Sequence, residues 1–127
     1  MVKKKILVID DTVPILTMLK MMLERKGYEV TTRENTEGLT LLIDELQPAL
    51  LIMDVLLSGV DGRDVCVDLR KIERFCKLPI LMISALHDAG PDCVAAGAQF
   101  FLSKPFDLAN FYFTVDMALT VFKNVEI

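Results

Sequence analysis

Two carboxylates stand side by side at Asp10 and Asp11, directly after the apolar run Ile6 to Ile9. A third acid, Asp54, closes a second apolar run that begins at Leu50. Ser84 closes a third run, Pro79 to Ile83, and Lys104-Pro105 follows a fourth, Gln99 to Leu102. If the three acids gather with about 4 to 5 Å between neighbours, each pair repels by about 3 to 4 kcal/mol at an effective dielectric of about 20. Such a cluster asks for a cation. All-oxygen ligands at a shallow, partly hydrated site favour a hard ion such as Mg²⁺, which keeps several waters and needs few protein ligands. Carboxylates bridged by a metal, beside a fixed ammonium and a hydroxyl, suit phosphoryl chemistry. Lys104, Ser84 and the metal would meet charge on the transferring oxygens while a carboxylate attacks in line. Asp54 is the nucleophile candidate because it ends the central strand between the other groups, and an aspartyl phosphate would be the product.

That chemistry requires a fold that brings residues 10, 54, 84 and 104 to one place. Short apolar or β-branched runs alternate with longer segments of helical period, the rhythm of βαβ units. Strands are expected at Lys5 to Asp10, Tyr28 to Arg33, Leu50 to Asp54, Pro79 to Ser84 and Gln99 to Leu102, each followed by a helix. In the first helix Ile15, Leu19, Met22 and Leu23 share a face, Pro14 suits the first turn and Gly27 the end. In the second, Leu39, Leu42, Ile43 and Leu46 form the stripe and Pro48 stops it. The third is expected over Arg63 to Phe75. The fourth meets Gly90-Pro91 where it should start, which leaves about two turns. The fifth runs from Leu108 to Phe122.

Strands 1, 3 and 4 are apolar almost throughout, so they are expected to be buried on both faces, as in a parallel sheet covered by helices. The expected fold class is α/β, a three-layer sandwich with a doubly wound five-stranded parallel sheet; of the two common doubly wound orders, one is the flavodoxin-like (βα)5 order 2-1-3-4-5. In that order strands 1, 3, 4 and 5 are neighbours, and ligands bind outside the carboxyl ends of strands where the order switches. The polar residues named above converge there, and only strand 2 ends without one.

Composition narrows the function classes. The chain has 127 residues, 53% of them hydrophobic and 25% charged, which fits one domain spanning residues 1–127 with no effector domain attached. A net charge of −4 is not the basic footprint of a nucleic-acid binder. Cys66, Cys76 and Cys93 are odd in number and form no CxxC pair, which speaks against a disulfide framework or a zinc site and for a cytoplasmic location. The apolar run after Lys3-Lys4-Lys5 is only four residues long, too short for a signal peptide, and no run is long enough for membrane insertion.

Asp10-Asp11, Asp54 followed by Asp61-Gly62, Ser84-Ala85, Gly97-Ala98 and Lys104-Pro105-Phe106 occur in order on the expected strand ends. As a set they resemble the receiver domain of response regulators in two-component signalling, of the chemotaxis-regulator type. The resemblance covers nearly the whole chain. It implies that Asp54 takes a phosphoryl group from a histidine kinase or a histidine phosphotransfer protein. It implies Mg²⁺ held by Asp11, Asp54 and the Leu56 carbonyl, with Asp10 acting largely through water. By the same resemblance Ser84 and Lys104 hold the phosphoryl oxygens, Ala85 leaves room for them, Ser84 and Phe101 form the switch pair, and the Lys104-Pro105 bond is cis.

The chain departs from the family pattern in specific places. Leu57-Ser58 stands where the family usually has Met-Pro. Between Ser84 and Lys104 the chain is about two residues short, which implies a reduced fourth helix. Leu56 and Leu86 occupy the positions two after Asp54 and Ser84, and neither side chain can orient an attacking water, so slow autodephosphorylation is expected. Phe101 lacks a hydroxyl, so its rotamers differ by packing alone.

The last helix carries two apolar lines. Leu108, Phe111, Tyr112, Val115, Leu119 and Phe122 form the stripe expected to be buried, and Phe113, Met117 and Val121 lie opposite. Seven of the nine aromatics fall between Phe100 and Phe122, which marks this region as the expected contact surface for a homodimer, a downstream protein or an effector domain. The favoured reading is therefore a phosphorylatable switch on the strand 4, helix 4, strand 5 and helix 5 face. One alternative is a degenerate receiver used as a phosphorylation-independent interaction module. A hydrolase of the haloacid dehalogenase type fits poorly, because Leu56 replaces its second aspartate and the chain has no room for a cap domain.

Overall fold

The computed structural model of the chain describes residues 3–125, with side chains described as far as Thr120. Five parallel strands form the sheet: β1 (Lys5–Ile9), β2 (Glu29–Arg33), β3 (Leu50–Asp54), β4 (Ile80–Ser84) and β5 (Phe100–Ser103), in the order 2-1-3-4-5. The expected order and class are both found. Strand limits differ from the sequence reading by one residue at most at either end.

Helices α1 (Val13–Arg25) and α5 (Leu108–Val125) cover one face, and α2 (Leu39–Leu46), α3 (Gly62–Arg70) and α4 (Gly90–Ala96) cover the other. Alternate residues of one strand feed opposite cores, as pleating demands. Ile6 and Val8 pack with Leu19, Leu23, Phe111 and Val115, whereas Leu7 and Ile9 pack with Ile43, Cys66, Leu69 and Cys93. All of β3 and β4 is buried, including their terminal Asp54 and Ser84. Asp54 and Ser84 are thus anchored in the buried centre of the sheet. Among the described residues no helix is long and apolar enough to cross a membrane.

Three local expectations need correction. The third helix stops at Arg70, and a separate 3₁₀ turn follows at Glu73–Phe75. Ile72 is extended between them, which swings Phe75 into the core, and the Arg70 guanidinium bonds the Phe75 carbonyl at 2.8 Å and the Gly97 carbonyl at 2.8 and 3.0 Å. Periodicity within residues 63–75 could not see the distant Gly97 carbonyl that Arg70 binds. In α1 the fully covered residues are Leu16, Leu19 and Leu23, while Ile15 and Met22 sit at the edge of the stripe. In α5, Leu108, the first residue of the helix, is exposed; Phe111, Val115 and Leu119 are buried as expected, and Ala118 joins them. Phe113 and Met117 face solvent, and Val121 and Phe122 lie outside the described side chains. The fourth helix is the expected two turns, with Pro91 in its first turn.

Candidate functional site

The carboxyl ends of β1, β3, β4 and β5 deliver the site. Asp10, just past β1, is fully buried and accepts from the Thr12 amide at 2.9 Å. Asp54 ends β3 and accepts from the Leu56 amide at 3.2 Å. Lys104 follows β5 and is held there by its amide donating to the Ser84 carbonyl at 2.7 Å. Its ammonium reaches between the two acids, 2.9 Å from Asp54 Oδ2 and 3.1 Å from Asp10 Oδ2. Asp11 stands beside them, and one carboxylate oxygen from each of Asp10, Asp11 and Asp54 lies within 4.8 Å of the others.

Electrostatics follow from this packing. Burial pushes the Asp54 carboxyl above its usual range, and the neighbouring Asp10 charge adds to that, against the downward pull of Lys104. Burial alone would lower the Lys104 ammonium, but hydrogen bonds and charge from Asp54 and Asp10 carry it above the ordinary lysine value. Three acids thus surround one ammonium. An all-oxygen donor set of this size and separation fits a hard divalent cation, with Asp10, Asp11 and Asp54 as the residues able to hold it. Leu56, whose carbonyl the resemblance adds to that set, lies in the segment that leaves Asp54.

The loop over the site is a small hairpin, Leu56–Leu57 paired antiparallel with Val60–Asp61. Leu57 is buried and pins it, and the Gly62 amide donates to the Val55 carbonyl at 2.7 Å. Gly62 passes so close to β3 that a β-carbon there would collide with the Asp54 carbonyl oxygen and lie 2.9 Å from the Met82 methyl. Asp61 then caps α3 by accepting from the Arg63 amide at 2.8 Å. The Asp61-Gly62 pair of the motif set thus has a steric reason for its glycine.

Ser84 is fully buried, and its Oγ accepts from the Leu86 amide at 3.0 Å. Ala85 is exposed beside it, and the Leu86 and Leu56 side chains are exposed as well. Phe101 is half-buried against the α3/α4 core, and a β-carbon on Gly90 would stand 3.2 Å from its ring. Lys104-Pro105 is cis. Sequence reasoning missed two contacts here: the room that Gly90 gives Phe101, and a bond from the Ser58 hydroxyl to Asp11 Oδ2 at 2.9 Å. The Leu57-Ser58 departure was the available signal for the second.

A family model described as the response regulator receiver domain matches residues 6–116. The chain belongs to this family. Among curated relatives, it is 37% identical over 105 residues to the alkaline phosphatase synthesis transcriptional regulatory protein PhoP of Bacillus subtilis, covering 81% of this chain and 43% of that one. It is 34% identical over 108 residues to the phosphate regulon transcriptional regulatory protein PhoB of Pseudomonas aeruginosa, covering 84% of this chain and 47% of that one. The receiver domain thus spans less than half the length of these relatives. Among solved structures, the chemotaxis response regulator CheY4 of Vibrio cholerae matches with a TM-score of 0.84 and 25% identity over 93% of this chain and all of that one. The chain is accordingly a receiver domain of two-component signalling, and receiver domains of this family are signalling switches that typically use an acidic pocket for phosphorylation.

Proposed function

We propose that Asp54 is the phosphoacceptor of this receiver, loaded from a phosphohistidine on a histidine kinase or phosphotransfer protein. The observation that carries this is the Lys104 ammonium 2.9 Å from Asp54 Oδ2 and 3.1 Å from Asp10 Oδ2 at the carboxyl ends of adjoining strands. An Asp54 carboxylate oxygen attacks phosphorus in line, the O–P bond forms as the N–P bond of the donor breaks, and the departing imidazole takes a proton from water. Lys104 turns from its two carboxylates to the transferred phosphoryl oxygens. Asp10, Asp11, Asp54 and the Leu56 carbonyl would hold Mg²⁺, which when bound neutralises charge on the phosphoryl group.

The Ser84 hydroxyl, now engaged with the Leu86 amide, reorients toward the phosphoryl oxygens, with exposed Ala85 leaving them room. Phe101 follows into the space, shifting an existing two-state balance at α4 and β5. Exposed Leu56 and Leu86 give no polar atom to orient water, which supports a long-lived phosphoryl group. Exposed Phe113 and Met117 on α5 support a homodimer or contact with an effector protein or domain as output, without direct nucleic-acid binding by this domain. The chain acts as one receiver domain in the cytoplasm.

The test is intact-mass measurement after incubation with a small-molecule phosphodonor. A single phosphoryl adduct that requires both Mg²⁺ and Asp54, absent in Asp54→Asn, is expected. No adduct, under conditions where a known receiver labels, would reassign the protein as a phosphorylation-independent interaction module.

A further inference from the structure

Of the three clustered acids, Asp11 is the one that Lys104 does not engage. Asp10 is fixed by Lys104 and the Thr12 amide, and Asp54 by Lys104 and the Leu56 amide. The short contact to the Asp11 carboxylate comes from Ser58, whose hydroxyl donates to Oδ2 at 2.9 Å, while the Thr12 hydroxyl stands at 3.4 Å from Oδ1. Ser58 is exposed, yet it does not sit on a loose tip. It occupies, with Gly59, the two-residue turn of the Leu56–Leu57/Val60–Asp61 hairpin, and Gly59 at the second turn position takes a positive φ of +73°, which glycine adopts without strain. Buried Leu57 fixes one strand of that hairpin in the core, and the Gly62 amide bond to Val55 fixes the other end. The hydroxyl is therefore presented to Asp11 from a rigid support.

We propose that Ser58 is a positioning residue for cation binding, holding the Asp11 carboxylate in one rotamer next to Asp10 and Asp54. It does so at the position where a family-typical proline has no donor to offer. The inference rests on the reading of Asp11 as a metal ligand. Partners that hydrogen-bond a ligating carboxylate change metal affinity by about 10- to 100-fold when removed. Because Ser58 competes with water at an exposed position, the effect falls at or just below the low end of that range, about fivefold to tenfold.

The experiment is calorimetric titration of the full chain with Mg²⁺ alone, without phosphodonor, for the wild type, Ser58→Ala and Ser58→Thr, together with thermal melting of each in EDTA. The wild type is expected to bind saturably, Ser58→Ala about fivefold to tenfold more weakly, and Ser58→Thr within about twofold of wild type, with metal-free melting unchanged. Equal or tighter binding by Ser58→Ala overturns the proposal. So does equal weakening in Ser58→Thr, or a fall in metal-free melting that accounts for the lost affinity, since either assigns the serine a purely structural role. A wild type that binds no Mg²⁺ overturns the metal reading itself, and the inference with it.

Discussion

Replacing Lys104 by Met keeps an unbranched apolar stem one atom shorter and removes the ammonium with its charge and its two hydrogen bonds, so it tests the role of the ammonium. In the wild type that ammonium lies between a fully buried Asp10 and an Asp54 side chain only 9% exposed, and is itself 22% exposed. Without it, two buried carboxylates whose oxygens lie within 4.8 Å of each other face no cation. At an effective dielectric of about 20, that separation corresponds to about 3.5 kcal/mol of repulsion. Protonation offers no cheaper escape at pH 7, because neutralising an ordinary carboxylate three units above its pKa costs about 4 kcal/mol. Lys104→Met is therefore expected to lose about 3 kcal/mol of stability in EDTA at pH 7, read by urea unfolding.

The pH dependence has a definite sign. Burial already raises the Asp54 carboxyl above its unfolded value, and removing Lys104 takes away the main opposing pull. A carboxyl raised in the folded state is favourable when protonated and unfavourable once ionised, so the deficit of Lys104→Met shrinks as pH falls from 7 through that raised value. The lysine is raised too, so its contribution is complete at neutral pH and lost only as pH climbs through its raised value. Added Mg²⁺ also narrows the gap, because the variant's site holds no competing ammonium. A variant as stable as wild type in EDTA at pH 7, or a gap that widens on acidification, would refute the reasoning.

Other outcomes follow from single contacts. Gly62→Ala places a methyl against the Asp54 carbonyl oxygen and should cost about 1 to 3 kcal/mol by denaturant unfolding while slowing phosphoryl uptake; wild-type values for both would show that the loop yields freely. Asp61→Ala removes the cap of α3 and should cost about 1 kcal/mol at neutral pH. Because the hydrogen bonds from Arg63 hold the Asp61 carboxyl below its usual range, that cost should fade only as pH falls through the depressed value, and a loss that persists in strong acid would point to packing instead. Leu86→Glu, which puts an acceptor where a water must be oriented, should shorten the phosphoryl half-life measured by intact mass, and an unchanged half-life would remove the explanation for slow autodephosphorylation. Phe113→Lys should reduce any phosphorylation-dependent rise in mass seen by light scattering, and an unchanged mass would free the α5 surface from a role in dimerisation.

Much of this architecture is written in local patterns. Five apolar runs with intervening helical stripes suffice for the sheet and its two covering layers, because burial on both faces leaves β3 and β4 no polar position before their last residue. The acids and Lys104 were legible for the same reason, since a charge ending a buried strand has few bland explanations once four such ends adjoin. What stayed hidden depends on contacts between distant residues. The Arg70 fork that ends α3 binds carbonyls of Phe75 and Gly97, and no periodicity in residues 62–75 encodes Gly97. Leu108 fits the α5 stripe by spacing and is exposed as the first residue of the helix. Ser58 looked like the loss of a rigid proline, whereas hairpin pairing gives its hydroxyl a fixed address on Asp11.

The most direct test of Asp54 as phosphoacceptor is chemical trapping. After reaction with a phosphodonor and Mg²⁺, borohydride reduces an aspartyl phosphate to an alcohol, and tandem mass spectrometry of the peptides that carry Asp10, Asp11, Asp54, Ser58 and Ser84 locates the changed residue. Conversion of Asp54 to homoserine, dependent on both donor and Mg²⁺, is the predicted result. A modification that resists borohydride, as a phosphate on Ser58 or Ser84 would, or conversion of Asp10 or Asp11 in place of Asp54, would contradict it.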